Sequence, residues 1–207
     1  MLMGSAVRDI VGTRRVEDDP RYGCFYMIHN RATVAQEILH CFSKAWNGLD
    51  ASVVSGRIRE EVTDRCMEIT RSLFIGTMSA VEHSAKRSVN LYPGSRLHSR
   101  LEELRSRNRY IVLKGIIQES AHLGLVPDDQ LAEWMDLMLL RNLAVHNNSI
   151  SDTDSEVRVG DLSLTLRHGE MMRGELDTYL RLAKRSMGLY HAWICKVDQD
   201  SLFIPSP

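Results

Sequence analysis

Arg141, Asn142 and His146 are the residues of this chain whose types and spacing could do chemistry. They punctuate an otherwise apolar string, Leu139-Leu140-Arg141-Asn142-Leu143-Ala144-Val145-His146-Asn147-Asn148. A guanidinium grips a phosphate through two parallel N–H donors and offsets charge that builds up on it. An imidazole titrates near neutrality and can take or give a proton. A carboxamide beside them can orient either group. Together the three suit phosphodiester chemistry. A simpler reading stands beside this one: Arg141 reaches out to solvent along its alkyl stem, and His146 complements the negative end of a helix.

Spacing constrains how the trio can act. Asn142 and His146 are four apart and stack on one helix face. Arg141 and His146 are five apart, about 140° around the axis, so an ideal helix does not bring them together. They converge if the helix frays at His146, or if two copies of the helix end meet across a two-fold axis, which makes self-facing patches automatically.

Other chemistries lack their signatures. Neither phosphate-cradling glycine loop, G-x-x-x-x-G-K-[ST] or G-x-G-x-x-G, occurs, nor do H-E-x-x-H and G-x-S-x-G. Asp152, Asp154 and Glu156 resemble the start of a calcium loop, but the sixth position is Val157 and the twelfth Ser163, so the motif fails. His40 and Cys41 are adjacent, and neighbours on a helix do not face each other. Cysteines 24, 41, 66 and 195 make no C-x-x-C pair, so no metal site is signalled and no cofactor is expected.

The elements that must position the trio are mostly helices. Residues 1–30 read as an N-terminal arm with an apolar anchor at Cys24–Ile28. From Thr33, with Gln36 completing a capping box, Val34, Ile38, Cys41 and Ala45 recur at helical spacing up to Asn47. A second run spans Ser55 to Leu91, with a kink at Gly76 or a split before Arg57 as alternatives. A third spans Arg96 to Leu123. The helix bearing the trio runs from Pro127 to Asn147, with Pro127 at its first turn and Asn148 suited to the left-handed exit. Val157–Val159 and Leu162–Leu166 alternate about Gly160-Asp161, the mark of a hairpin near 157–167. A last helix covers Arg173 to Val197, and 201–207 is a tail. The expected fold is therefore all-α: an antiparallel bundle of four to five helices over 31–200 with a short β-hairpin insertion.

The 207 residues suffice for one domain with a core that needs no covalent staple. Lysine and arginine number 26 against 27 acids, which disfavours general coating of polyanions. Scattered cysteines, no signal-peptide pattern and no apolar run of spanning length give the expectation of a soluble cytoplasmic protein without a membrane contact.

Arg141-Asn142-x-x-x-His146 resembles the R-[polar]-x-x-x-H signature of the HEPN-domain superfamily, the all-helical ribonucleases of prokaryotic toxin and defence systems. The polar residue directly after the arginine and the position late in a bundle helix both agree. The match is specific over about ten residues, and the helical order is compatible over 33–195.

The resemblance implies a metal-independent endoribonuclease, acting by 2′-OH attack in a homodimer cleft, with Arg141, Asn142 and His146 as its catalytic residues. It also implies RNA as partner, and an antitoxin or defence-system protein as a possible further one. Family members often carry an acid on an earlier helix, which makes Glu82 a weaker candidate; the alternative is a surface pair with Lys86 at i+4. The basic stretch from Arg96, with Arg105, Arg109 and Lys114, is a candidate RNA-steering surface or else a solvated helix face. Tyr190 and Trp193 are candidates for base stacking or for the core. The competing function is a HEPN-like dimerisation or partner-binding subunit without catalysis.

Overall fold

The computed structural model describes residues 20–48, 56–107, 109–172, 174–175 and 177–201. Among them, six helices and one two-stranded sheet follow in the order α1 (Pro20–Asn47), α2 (Gly56–Leu91), α3 (Arg96–Ser106), α4 (Leu113–His122), α5 (Asp128–His146), β1 (Ser155–Val159), β2 (Leu162–Leu166) and α6 (Thr178–Ser201). This is the expected all-α bundle with its hairpin. No helix among the described residues is long and apolar enough to cross a membrane.

The 36-residue α2 is the spine, unbroken at Gly76. Helix α1 runs antiparallel along it, with Cys24 beside Ser84 and Arg31 lying over Gly76. A Cβ at Gly76 would overlap the Arg31 guanidinium, so the glycine is what permits this close approach. Helix α6 runs parallel to α2: Tyr179 stacks on Phe74, and Tyr190 lies against Ser88. Helix α5 runs antiparallel to α6, its Glu133 on Arg185 at one end and Ser149, just past the helix, on Tyr179 at the other. Trp134, Trp193, Tyr190 and Phe74 fill the centre. The Trp193 indole donates to Ser120 Oγ at 2.9 Å, which ties α6 to α4.

Three expected boundaries move. The first helix begins at Pro20, not Thr33, so residues 20–30 are helix rather than arm; 1–19 lie outside the described residues. Cys24, Phe25 and Ile28 supply the reason, for they form an apolar stripe buried against α2 and α6. The third run divides into α3 and α4. Leu97, Leu101 and Leu104 are buried, but the next position of that stripe, 108, is Asn, and Leu104 O accepts from the N–H groups of Arg107 and Arg109 as the helix ends. The last helix begins at Thr178, and its buried stripe passes through Tyr179, Leu182, Ser186, Leu189 and Trp193, leaving Leu180 exposed.

The hairpin is as expected, with Val159 opposite Leu162 across Gly160-Asp161. Gly160 has φ +60 at the first turn position, the site where a two-residue hairpin loop favours glycine.

Candidate functional site

The last two turns of α5 carry the trio. Leu137, Leu140, Leu143 and Ala144 bury one side of the helix. The opposite arc presents Leu139, Asn142, Val145 and His146 to solvent, with Arg141 half-buried at its edge. The Arg141 guanidinium donates from Nη1 to Asn142 Oδ1 at 3.1 Å. Asn142 therefore orients the arginine and keeps its own amide N–H donors for another group. Among the described residues no hydrogen bond joins His146 to either. The 140° spacing has its expected consequence: one chain does not close Arg141 and His146 around a common point.

The segment just past His146 is held firmly. Asn148 and Ser149 have φ of 48° and 65°, two successive left-handed residues without being glycine. Such backbone persists only where the surroundings over-determine it. Ser149 meets that condition. Its N–H bonds Leu143 O at 2.9 Å, its carbonyl accepts from Met172 N at 2.7 Å, and its buried hydroxyl meets the Tyr179 hydroxyl at 2.8 Å. Burial pushes the Tyr179 phenol above its ordinary pKa, and the Ser149 hydrogen bond partly opposes that. Ser151 then exchanges backbone hydrogen bonds with Gly169 and Glu170 at 2.8 and 3.0 Å. Ile150 and Met171 bridge side by side, with 41% and 60% of their surfaces exposed. On α5 itself Leu139 and Val145 are exposed together with Asn142 and His146.

A clamp fixes the other half of α5. Both oxygens of Glu133 accept from Arg185, each at 2.6 Å, and Oε2 also accepts from Gly160 N at 2.9 Å. The paired guanidinium holds the Glu133 carboxyl below the usual range, against an opposing effect of burial. One carboxylate thereby locks α5, α6 and the hairpin turn together.

Glu82 is half-buried on α2 and pairs with Lys86 at 2.8 Å, and among the described residues no hydrogen bond joins it to the trio. Tyr190 and Trp193 are buried in the core and present no face to a base.

Of the basic candidates, Arg105 and Arg109 line a cavity of about 450 Å³ together with His83, Lys86, Arg87, Asn90 and Tyr110. Lys114 is exposed on α4 and is not among the residues lining it. On sequence His83, like Glu82, is a candidate for the trio's cleft and Lys86 a surface partner of Glu82; Arg87, Asn90 and Tyr110 escaped the sequence reading. Two signals pointed to them: positions 83, 86/87 and 90 share a helix face, and Tyr110 follows Arg109 directly. Tyr110 is 85% exposed, and Lys86 Nζ lies 5.7 Å from its ring centre.

No protein-family model, no curated protein and no solved structure matches this chain.

Proposed function

We propose that the protein is a HEPN-type, metal-independent endoribonuclease whose active site is completed by two copies of the chain. The observation that carries this reading is the end of α5, where Asn142 and His146 are exposed, Arg141 is half-buried and bonded to Asn142, and Leu139 and Val145 of the same helix are exposed beside them. Exposed apolar residues next to polar groups on one helix suit a self-facing contact between two copies.

In such a cleft the 2′-oxygen of a ribose attacks the adjacent phosphorus, and the bond from phosphorus to the 5′-oxygen breaks. The products are a 2′,3′-cyclic phosphate and a 5′-hydroxyl end. One His146 takes the proton from the 2′-hydroxyl, and the His146 of the second copy gives a proton to the departing oxygen. Arg141, steadied by Asn142, holds the non-bridging oxygens and offsets their growing charge. A role in toxin or antiviral defence, and an antitoxin or defence-system partner, rest on the resemblance alone.

The test is incubation of purified protein with total RNA in EDTA. Cleavage should yield cyclic-phosphate ends and fall by about 10²–10⁴-fold in His146→Ala, the usual worth of positioned proton transfer. Arg141→Ala should behave similarly. Circular dichroism and sizing should show both variants folded and dimeric, because exposed substitutions shift stability little. Activity that persists in His146→Ala, or that EDTA abolishes, refutes the mechanism. A dimer that cleaves no RNA supports the non-catalytic, partner-binding reading instead.

A further inference from the structure

We propose that the cavity between the C-terminal half of α2 and the end of α3 is a binding subsite for single-stranded RNA, in which a base stacks on Tyr110 and a backbone phosphate sits between Arg87 and Arg109. It rests on the ribonuclease reading only for the choice of RNA over DNA.

Three observations converge on the cavity. First, Tyr110 stands out into solvent in the connection after α3, where an aromatic ring buries nothing of its own fold. Stacking on exposed aromatics is how single strands are held without sequence preference, since every base has a π-face.

Second, the ring has a charged neighbour. Glu82 binds Lys86 at 2.8 Å, and the ammonium lies over the ring at 5.7 Å, within cation–π range.

Third, the cations are unevenly satisfied. Lys86 is paired with Glu82, and Arg105 with Glu102 and, at 3.3 Å, with Asn90 Oδ1. Arg87 and Arg109 have no carboxylate partner among the described residues. Two free guanidiniums beside an exposed ring match a phosphate next to a base. An acidic peptide would occupy the cations and leave Tyr110 without a role.

The experiment is fluorescence anisotropy with a labelled, unstructured RNA of about 12 nucleotides, within the range of about 4–16 that single-strand binding folds cover, and the full-length His146→Ala protein, which leaves the RNA uncut. Tyr110→Ala should weaken binding by about 5- to 100-fold, and Tyr110→Trp should restore it. Arg109→Glu should weaken binding and reduce the salt dependence by about one unit of slope. Lys114→Ala, outside the cavity, should show a smaller change. Undiminished binding by Tyr110→Ala, equal affinity for duplex RNA, or equal competition by polyglutamate would each overturn the proposal, as would an absence of RNA binding.

The two proposals fail separately. Tyr110-dependent binding by a protein that never cleaves leaves the cavity standing without the ribonuclease. Cleavage that ignores Tyr110 does the reverse.

Discussion

The hydroxyl of Tyr179 is the most informative single atom outside the trio, and Tyr179→Phe removes it without changing the ring. Phenylalanine keeps the stack on Phe74, whose ring centre lies 6.1 Å away. It loses the 2.8 Å contact with Ser149 Oγ and leaves that buried oxygen unpaired. A lost hydrogen bond is worth about 0.5–1.5 kcal/mol, and an orphaned buried hydroxyl raises the cost toward 1–3 kcal/mol, so about 2 kcal/mol is expected. For a chain of this length that lowers Tm by about 4–8 °C. Thermal unfolding by circular dichroism measures it, with the exposed Tyr110→Phe as a control that should not move. Amide exchange at Ser149 and Ile150 should accelerate, because the hydroxyl pair pins the left-handed residues there. Position 149 sharpens the reasoning. Ser149→Ala and Ser149→Gly lose the same hydrogen bond, but only glycine adopts φ +65 without strain, so Ser149→Gly should be the more stable by about 1 kcal/mol. A Tyr179→Phe Tm within a degree of wild type, or Ser149→Ala more stable than Ser149→Gly, would refute the account of how the end of α5 is held.

Two further outcomes concern groups with displaced pKa. Glu133→Gln breaks the clamp on Arg185 and Gly160; with the guanidinium partly exposed and screened, about 1–2 kcal/mol is expected at neutral pH. Because the folded carboxyl titrates below its unfolded value, the clamp stabilises fully above the unfolded value and is lost as pH falls through the folded one. Urea titrations of wild type and Glu133→Gln should therefore converge in acid; a gap that widens there contradicts the clamp. Cys24 is fully buried and its thiol is pushed up to about 12, against a lowering contact with Ser84, so it should resist alkylation in the native protein at about pH 8. Cys41 is exposed and should react readily; mass spectrometry of the alkylated peptides decides.

Much of this was legible in local chemistry. The Gly160-Asp161 turn announced the hairpin, since few residues other than glycine accept a positive φ there. Asn148 announced the left-handed exit from α5 for a similar reason. The features that escaped required tertiary partners. Gly23 and Pro20 look like breakers until Cys24, Phe25 and Ile28 are seen to bury against α2 and α6. The break after α3 rests on an absent apolar residue at 108 in a stretch otherwise rich in helix formers. The basic cavity joins α2 to residues beyond α3, so no window of local sequence contains it. Ser149 in a left-handed conformation had no sequence signal, because its cause is the Tyr179 hydroxyl thirty residues on.

The proton inventory is the strongest argument for reading the trio as half of a site. Transesterification needs one group to accept the 2′-hydroxyl proton and another to supply a proton to the 5′-oxygen as it leaves. The end of α5 carries one imidazole, His146, and among the described residues it hydrogen-bonds neither Arg141 nor Asn142; the neighbouring His168 has its Nδ1 against Asp152 O at 2.7 Å. The acid proposed from sequence, Glu82, is engaged with Lys86. On the proposed reading the second proton carrier is the His146 of a second copy. A two-fold axis beside the end of α5, where Leu139 and Val145 are exposed, would supply it, together with a second guanidinium. The separation of about 140° between Arg141 and His146 within one helix then ceases to be an obstacle, because the arginine of one copy and the histidine of the other can face the same phosphate.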